Sequence, residues 1–328
     1  MPHPAEPLML VADIGGTNTR VALARGREVQ AETVRRYANA EHPGLESALR
    51  LFIGETGAKP VAACVAVAGP VRDGRARLTN LDWTIDGDTL AGATGAQTVA
   101  ILNDLQAQGH ALGFVDPSRT RTIVPFAEAG PQAAKLVVNV GTGFNIAPVF
   151  ETEAGRLVPA SESGHVTLPA RTEEDLRLAR FVGAAHGFAS VEEVLSGRGI
   201  EQVHAWLSEE EGEPGRKSAA EIMAEVARGG DTRATRAARV FVRVLGAVSG
   251  DLALITLPLG GVWLVGGVAR AFAPYLSDFG FVEAFRDKGR FGGFMGQFGV
   301  GVVEDDNAAL TGSAAHLVGL MERAGTAG

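Results

Sequence analysis

The stretch Leu8-Met-Leu-Val-Ala-Asp-Ile-Gly-Gly-Thr-Asn18 carries an apolar run into an aspartate, two glycines and two small polar residues. A second apolar segment, Arg20-Val-Ala-Leu-Ala24, follows directly, so the pattern predicts a β-hairpin with a glycine turn. Because glycine has no Cβ, backbone N–H groups in such a turn can approach an anion closely. Thr17 and Asn18 add donors, and Asp13 can orient a metal-bound water. The turn suits a nucleotide triphosphate with Mg²⁺, although an ordinary tight hairpin explains the same residues.

The composition indicates a globular protein with an acidic surface. The chain has 328 residues and a formal net charge of −8, which disfavours nucleic acid and anionic membranes as partners. Cys64 is the only cysteine and lies in an apolar run, so we expect an inert core thiol in a reducing compartment. The first seven residues lack the basic region of a signal peptide, and charges and a proline interrupt the apolar region at 240–267. We therefore expect a cytoplasmic protein without a membrane span.

The first third of the chain alternates strand and helix signals, which is typical of an α/β layer with buried strands. The predicted strands lie near residues 8–13, 19–24, 28–35, 61–68 and 98–102. The predicted helices of this part lie near residues 43–54 and 104–113. A polar stretch around Pro117 indicates a domain boundary near residue 115.

A second glycine turn, Gly141-Thr-Gly143, follows an apolar strand that begins at Lys135. Helices are predicted near residues 173–186, 198–208, 218–228 and 232–256, with Asp231 as the N-cap of the last one. A strand at 262–265 ends at Gly266 and Gly267, and a final helix near 307–323 is expected to pack on the first domain. The sequence thus predicts two α/β lobes that face each other. The small domain comprises residues 1–115 plus 307–328, the larger domain comprises residues 116–306, and a nucleotide lies in the cleft between them.

Several familiar motifs are absent from the sequence. No lysine follows a glycine as in a P-loop, and Gly141-Thr-Gly143 lacks the third glycine of a dinucleotide fingerprint. The sequence also contains no His-Glu-x-x-His, Cys-x-x-Cys or Gly-x-Ser-x-Gly. These absences weigh against P-loop kinases, Rossmann dehydrogenases, zinc enzymes and serine hydrolases.

Asn103 and Asp104 stand at the end of a predicted buried strand. Either residue can cap the following helix. Asp104 can equally act as a general base, because α/β sheets place ligands at the carboxyl ends of their strands. The sequence alone leaves both functions open.

Further polar residues occur in two loops of the second half. Glu162 and His165 lie three residues apart in Ser161-Glu-Ser-Gly-His165, without further metal ligands at a fitting spacing. Hydrogen bonding to a polyol is therefore favoured over metal binding, although such a pair is more often structural. Glu192 and Glu193 precede another glycine turn, where charged residues are commonly just exposed.

Together these segments resemble the bacterial, proteobacterial-type ATP-dependent glucokinases of the hexokinase/actin-like ATPase superfamily. The resemblance extends from Val11 to about Leu317. The motifs that carry it are Asp13-Ile-Gly-Gly-Thr-Asn18, Leu102-Asn-Asp104, Gly141-Thr-Gly143, Glu162-x-Gly-His165, Val194-Leu-Ser-Gly197, Gly260-Gly-Val-Trp-Leu-Val-Gly-Gly267 and Phe285-Arg-Asp-Lys-Gly-Arg-Phe291. Each motif is weak alone, but their order and spacing are specific. The resemblance implies a two-lobed actin-like ATPase fold of the ribonuclease H-like type.

The resemblance also implies an activity and a role for each matching residue. The implied reaction is phosphorylation of D-glucose at its 6-hydroxyl by ATP with Mg²⁺, and a homodimer is expected. Asp104 is expected to take the hydroxyl proton, and Asp13 to contact the metal through water. The implied sugar ligands are Asn103, Asp104, Glu162, His165 and Glu192, with Glu192 preferred to Glu193 because it stands two residues before Val194. The implied nucleotide ligands are Ala12, Asp13, Ile14, Gly15, Gly16, Thr17, Gly141, Thr142, Gly143, Gly266 and Gly267.

Three residues depart from the glucokinase pattern. Ser161 and Ser163 stand where glycines are usual, and Asn145 stands where a glycine often follows the second phosphate turn. Asparagine tolerates the left-handed backbone region, so the turn can survive. The zinc-binding Cys/His cluster of the related ROK (repressor, open reading frame, kinase) family is missing, and no helix-turn-helix domain precedes residue 8. Both absences disfavour a sugar-responsive repressor.

Three alternative functions remain from the sequence. The first is a kinase for another hexose, such as fructose, mannose or an N-acetylated sugar. The second is a non-catalytic sugar or nucleotide sensor, which has no need of a base such as Asp104. The third is an actin-like ATPase that moves or polymerises, in which Glu162, His165 and Glu192 have no function.

Overall fold

The computed structural model of the chain describes residues 6–78 and 81–326. Residues 1–5, on which the expectation of no signal peptide depends, lie outside the described residues. The described strands are β1 (Leu8–Ile14), β2 (Asn18–Arg25), β3 (Glu28–Val29), β4 (Arg35–Ala38), β5 (Ala62–Val67), β6 (Val71–Arg72), β7 (Arg75–Arg77), β8 (Thr84–Asp86), β9 (Thr98–Asn103), β10 (Thr120–Val124), β11 (Lys135–Val140), β12 (Phe144–Thr152), β13 (Gly155–Leu157), β14 (Val262–Val265) and β15 (Val300–Val303). The described α-helices are α1 (Leu45–Thr56), α2 (Gly87–Thr94), α3 (Asp104–Ala111), α4 (Glu173–His186), α5 (Gly197–Glu210), α6 (Ala219–Arg228), α7 (Arg233–Thr256), α8 (Gly267–Phe272), α9 (Phe281–Arg286) and α10 (Ala308–Thr326).

The internal contacts of the chain divide it into two compact units. The first unit comprises Met1–Pro117, Thr152–Ala160 and Asp305–Gly328, and the second comprises Ser118–Glu151 and Ser161–Glu304. Thr152–Ala160 groups with the first unit because the Arg156 guanidinium donates to main-chain carbonyls at the end of α3, at 2.8 and 2.7 Å. The boundaries drawn from the sequence place this segment in the larger domain, and they stay a prediction.

The sheet of the first unit has the order β3-β2-β1-β5-β9, and β4 also pairs with β2. The β1–β2 pair is antiparallel, whereas β1–β5 and β5–β9 are parallel. Side chains of β1 alternate between two buried layers, with Leu10 and Ile14 in one and Met9 and Val11 in the other. Burial on both faces explains why β1 is apolar without interruption from Leu8 to Ala12.

The final helix, α10, belongs to the first unit and packs against its sheet. Leu310 and Leu317 of α10 are buried in the same layer as Val11 and Cys64. Burial raises the pKa of the Cys64 thiol to about 12, which confirms the expected inert core thiol. The predicted helix near 307–323 is therefore present and packs on the first unit, as expected.

The sheet of the second unit repeats the arrangement of the first. It contains the order β10-β15-β14-β11-β12, in which β11–β12 is an antiparallel hairpin and β11–β14 and β14–β15 are parallel. The long helix α7 supplies much of the core through its apolar face, on which Phe241 and Leu245 are fully buried. Each unit therefore combines one glycine-turn hairpin with two further parallel strands.

Two local predictions differ from the structure. The predicted strand at 28–35 is replaced by the two-residue β3, a 3₁₀ turn at Ala31–Thr33, and β4. The Thr33 hydroxyl donates to the Gln30 carbonyl (2.7 Å) and accepts from the Leu23 N–H (2.9 Å), so side-chain bonds stabilise a turn instead of a strand. The N-cap of α7 is Thr232 and not Asp231, because the Thr232 side chain accepts from the N–H three residues later.

Within residues 6–78 and 81–326, no helix combines the length and apolarity needed to cross a bilayer.

Candidate active site

The first glycine turn joins β1 to β2 and is fixed by a buried asparagine. The Gly15 N–H donates to the Asn18 carbonyl (3.0 Å), and the Gly15 carbonyl accepts from the Asn39 side-chain amide (2.8 Å). Asn39 also accepts from the Thr19 hydroxyl (2.8 Å). An open pocket of about 200 Å³ at this turn is lined by Asp13, Gly15, Gly16, Thr17, Asn18, Arg20 and Arg36. Backbone N–H groups and two guanidinium groups suit a polyanion. No sequence signal pointed to Asn39 or Arg36.

The first turn and Asn103 lie at one edge of the first sheet. Ile14 of β1, Val67 of β5 and Asn103 of β9 are register partners across three neighbouring parallel strands. The carboxyl ends of these strands therefore meet, which brings the turn after Ile14 close to Asp104 at the start of α3. Ala12 and Ile14 have no exposed surface and are paired with β2 and β5. Of the nucleotide ligands implied for this segment, Asp13, Gly15, Gly16 and Thr17 line the pocket.

The two functions left open for Asn103 and Asp104 are divided between the two residues. Asn103 is the N-cap of α3: its side-chain oxygen accepts from the Leu105 N–H (3.0 Å), and its amide donates to the Gly69 carbonyl (3.0 Å). The Gln106 side chain accepts from the Asn103 N–H (3.1 Å), which completes a capping box. Asp104 Oδ1 also accepts from the Leu105 N–H (2.9 Å), so its second carboxylate oxygen, Oδ2, is the atom left for other chemistry. The spacing Asn-x-x-Gln is a signal that could have revealed Gln106.

Burial and a second carboxylate change the acidity of Asp104. Desolvation is the larger cause and the like charge of Asp13 is the second, and together they raise the pKa of Asp104 to about 6. The pKa of Asp13 is also raised by burial, against the opposing charge of Arg20. The ordinary pKa of an aspartate is near 3.9. A carboxylate whose pKa lies just below neutrality is ionised at pH 7 and is a stronger base than an exposed aspartate.

The pair of carboxylates fits a magnesium ion that is held largely through water. Mg²⁺ prefers oxygen ligands and retains several waters, so one or two carboxylates suffice beside the phosphates of a substrate. The raised pKa values of Asp13 and Asp104 are those expected where a cation compensates their charge. Among the described residues, no group of three or more His, Cys, Asp or Glu side chains is arranged to hold a metal by itself.

The second glycine turn joins β11 to β12 and is packed tightly in the second unit. The Gly141 N–H donates to the Gly143 carbonyl (2.9 Å), and the Gly141 carbonyl accepts from the Gly197 N–H (2.9 Å). Gly266 has φ of +100°, and a Cβ there would lie 2.5 Å from the Val140 carbonyl oxygen. Gly266 must therefore be glycine, and it brings the start of α8 against the end of β11. Thr142 and Gly267 are exposed beside this packing.

Glu192 lies directly beside the second glycine turn. One oxygen of its carboxylate accepts from the Phe144 N–H (2.9 Å), and a Cβ on Gly143 would lie 2.5 Å from the same oxygen. Glu193 instead accepts from the Gln202 side chain (2.9 Å), away from this turn. This geometry favours Glu192 over Glu193 as the ligand, in agreement with the preference implied by the resemblance.

The loop with Glu162 and His165 is packed on the same strand. Ser163–His165 form a 3₁₀ turn, and Gly164 lies so close to β12 that a Cβ would be 2.1 Å from the Phe144 carbonyl oxygen. The Glu192 N–H donates to the Gly164 carbonyl (2.9 Å). Glu162 and His165 are exposed, so their polar atoms are accessible to a ligand. The second unit therefore brings its glycine turn, Glu192 and this loop together around Phe144.

A cavity of about 710 Å³ in the second unit contains none of the predicted site residues. Of the lining arginines, Arg239 donates to the Asp278 carbonyl (3.1 Å). The other three are paired with carboxylates: Arg243 with Asp175 (2.6 Å) and Glu174 (2.8 Å), Arg171 with Asp287 (2.8 Å), and Arg236 with Glu211. Because the carboxylates neutralise these cations, the cavity has no clear preference for an anion. It is therefore a weaker candidate for the functional site than the glycine turns.

Comparison with known proteins identifies the family. The family model described as Glucokinase matches residues 10–319. A glucokinase of Xanthomonas campestris pv. campestris (strain B100) is 33% identical over 333 residues, 97% of each chain. The crystal structure of a glucokinase from an Antarctic psychrotroph superimposes with a TM-score of 0.85 at 32% identity, covering 95% of this chain and 98% of that one.

A more distant structure shares the fold. The ROK family glucokinase from Streptomyces griseus, solved in complex with glucose and AMPPNP, has a TM-score of 0.60 at 20% identity over 94% of this chain and 98% of that one. The actin-like ATPase fold predicted from the sequence is thereby confirmed. The match of the family model, the identity to curated relatives and the shared fold agree over nearly the whole chain. The chain therefore belongs to the glucokinase family.

Proposed function

We propose that the protein transfers the γ-phosphoryl group of ATP to the 6-hydroxyl of D-glucose, giving glucose 6-phosphate and ADP. The observation that carries this proposal is the Asp104 carboxylate at the start of α3, which has a pKa of about 6 and uses only Oδ1 within the helix, as acceptor from the Leu105 N–H. Asp104 accepts the proton of the 6-hydroxyl as the hydroxyl oxygen attacks the phosphorus. Membership of the glucokinase family supports the choice of both substrates.

Glucose is neutral, so its binding requires hydrogen-bond donors and acceptors and not ion pairs. We assign this role to Asn103, Asp104, Glu162, His165 and Glu192. The Asn103 carboxamide uses one acceptor and one donor position within the protein, which leaves one of each for a sugar hydroxyl. The exposed Glu162 and His165 add an acceptor and a group that both donates and accepts. Buried partners left unpaired by a missing hydroxyl carry a free-energy penalty, so epimers and deoxy sugars bind less well.

The glycine turns are the proposed phosphate-binding segments. Main-chain N–H groups at the tips of the two turns, Thr17 in the first and Thr142 and Gly143 in the second, hold the β- and γ-phosphates, and Gly266 and Gly267 lie on the adenosine side. Asp13 is the residue that would hold Mg²⁺, through water. When bound, the ion neutralises phosphate charge that the acidic side chains would otherwise repel.

Location and assembly are part of the same proposal. A cytoplasmic location gives access to ATP, and a homodimer is the assembly expected from the resemblance to bacterial glucokinases. Sedimentation of the purified protein measures the assembly directly. A monomer at micromolar concentration would contradict the dimer without affecting the proposed reaction.

The first test is the substitution Asp104→Asn, which keeps the shape of the side chain and removes the base. We expect kcat to fall by about 10²–10⁴-fold while glucose still binds. The measurement is ADP production in a coupled assay with glucose, fructose, mannose and N-acetylated sugars, with and without Mg²⁺, together with calorimetric titration of glucose.

The matched control is Asp88→Asn, an exposed aspartate in the first turn of α2 in the same unit. This variant should retain the wild-type rate. A nearly unchanged kcat in Asp104→Asn would exclude Asp104 as the base. A wild-type protein that binds glucose without forming ADP would indicate a sensor and not a kinase.

A further inference from the structure

The three residues that depart from the glucokinase pattern form one hydrogen-bonded cluster in the second unit. Asn145 Oδ1 accepts from the main-chain N–H groups of Ile146 (2.8 Å) and Ser163 (2.9 Å), and the Asn145 amide donates to the Ser161 carbonyl. The Ser161 hydroxyl lies 2.9 Å from Asn145 Oδ1 and 3.0 Å from the Ser163 hydroxyl. The Asn145 carboxamide therefore bridges β12 and the 161–165 loop.

The cluster surrounds the loop residues that are proposed to bind the sugar. Glu162 stands between the two serines in the chain, and His165 follows Ser163 by two residues. Both side chains are exposed, so the cluster fixes the main chain of the loop without using the proposed ligands. Asn145, the member of the cluster on β12, directly follows Phe144, whose N–H donates to Glu192.

The side-chain hydrogen bonds of this cluster restrict the loop, which glycine at the same positions cannot do. Glycine has the greatest backbone freedom of all residues, so a loop with glycines in place of the serines must be ordered when a ligand binds. Serine restricts the backbone, and the bonds to Asn145 hold the loop in a single arrangement. A loop that is ordered in advance loses less entropy on binding, and the sugar is bound more tightly as a result.

We propose that Asn145, Ser161 and Ser163 are positioning residues, which hold Glu162 and His165 in place for the sugar before the sugar binds. The inference rests on the proposed function, because it assigns a role to the sugar-binding loop of that same site. These residues act through the loop and do not contact the reacting atoms. Their loss therefore affects the KM for glucose much more than kcat or the KM for ATP.

The main test is the double variant Ser161→Gly with Ser163→Gly. We expect the KM for glucose to rise about tenfold, equivalent to about 1.4 kcal/mol, with kcat and the KM for ATP within about twofold of wild type. Ser161→Thr retains a hydroxyl, so its KM for glucose should stay at the wild-type value. A raised KM in the glycine variant alone would then reflect the lost hydrogen bonds and not a general destabilisation of the fold. The control is Ser277→Gly, an exposed serine in a turn of the same unit, which should leave all three constants unchanged.

A second measurement is independent of activity. Amide hydrogen exchange at Ser163 in the sugar-free protein should be faster in the double variant and in Asn145→Ala than in wild type, because the acceptor Asn145 Oδ1 is lost or released. If the double variant fails to fold, the single variant Ser161→Gly replaces it in both measurements.

An unchanged KM for glucose together with unchanged exchange at Ser163 would overturn the inference. A wild-type protein that forms no ADP with any hexose would instead contradict the proposed function. In that case the exchange rates would still decide whether the cluster orders the loop.

Discussion

Asp104 illustrates how position alters the chemistry of a single carboxylate. It follows the N-cap Asn103, and only its Oδ1 bonds within the first turn of α3, where it accepts from the Leu105 N–H. Burial and the nearby Asp13 raise its pKa to about 6. Near neutral pH the Asp104 carboxyl group is still mostly ionised, yet it binds a proton more strongly than an exposed aspartate does. That combination suits a group that must take a proton and later release it.

The raised pKa predicts the pH dependence of the reaction. Protonation removes the base, so kcat/KM for glucose should fall tenfold per pH unit well below about pH 6 and level off above it. In Asp13→Asn the like charge that raises the pKa of Asp104 is absent. The acidic limb of the pH profile of kcat/KM should therefore move to lower pH, whatever the absolute rate. The Asp88→Asn variant should keep the wild-type limb. An acidic limb that stays in place in Asp13→Asn would show that Asp13 does not influence the base.

The sequence reveals that Asn103 and Asp104 are candidates for the helix cap and the general base, but not which residue has which function. Asn and Asp are equally good N-caps, so the pattern Asn103-Asp104 left the cap and the base unassigned. Only the folded helix shows that Asn103 takes the cap. The pKa of Asp104 depends on burial and on Asp13, which lies on a different strand, so no local pattern could predict it.

At the scale of elements, α3 is positioned by its packing against α10. A Cβ on Gly312 of α10 would lie 1.7 Å from the Ala107 carbonyl oxygen of α3, so the two helices touch through their backbones. This contact fixes the helix whose first turn carries Asn103 and Asp104. The close approach is possible only because residue 312 has no side chain.

The packing predicts opposite effects for two glycine substitutions in the same helix. Gly312→Ala must separate α10 from α3, so the free energy of unfolding should fall by about 1–3 kcal/mol or more. In Gly319→Ala the new Cβ meets only the flexible end of Arg323 at 3.4 Å, and helix propensity should add up to about 1 kcal/mol. Urea unfolding measures both. Equal stability of the two variants would mean that α10 and α3 can separate without cost.

Elements with long periodic patterns were the most predictable. The helix predicted at 173–186 has the bounds of α4, and α7 differs from its prediction by one residue. Short elements depended on contacts that the pattern does not contain. The turn at Ala31–Thr33 arises from the Thr33 hydroxyl, and α2 was missed although Asp86 caps it. Where a single side chain competes with the backbone ladder, periodicity alone gives the wrong element.

At the scale of the whole molecule, the same arrangement of strands occurs in both units. In each, an antiparallel hairpin with a glycine turn lies beside parallel strands, β5 and β9 in the first and β14 and β15 in the second. The two glycine turns were visible in the sequence as separate motifs. The sequence also predicted a strand–glycine turn–strand unit in each half, whereas the parallel strands beside each hairpin became visible only through strand pairing.

The first unit is assembled from distant parts of the chain, which predicts the effect of truncation. Removing residues 305–328 takes away Leu310 and Leu317 and exposes the buried Met9 and Val11 of β1. We expect this truncated protein to aggregate or to lack a cooperative thermal transition in its first unit. A protein that ends after Arg323 keeps the apolar contacts of α10 and should unfold near the wild-type temperature. A soluble 1–304 protein with wild-type unfolding would show that α10 is dispensable.

The single thiol of the chain has a practical consequence for studying that unit. Cys64 lies in the interior strand β5, between β1 and β9, with no exposed surface, and its pKa of about 12 leaves almost no thiolate at neutral pH. Alkylating reagents therefore cannot modify the native protein until β5 becomes accessible to solvent. The rate of alkylation of Cys64 therefore measures how often the first sheet opens. This measurement needs no engineered label. A ligand that stabilises the folded first unit should lower the alkylation rate.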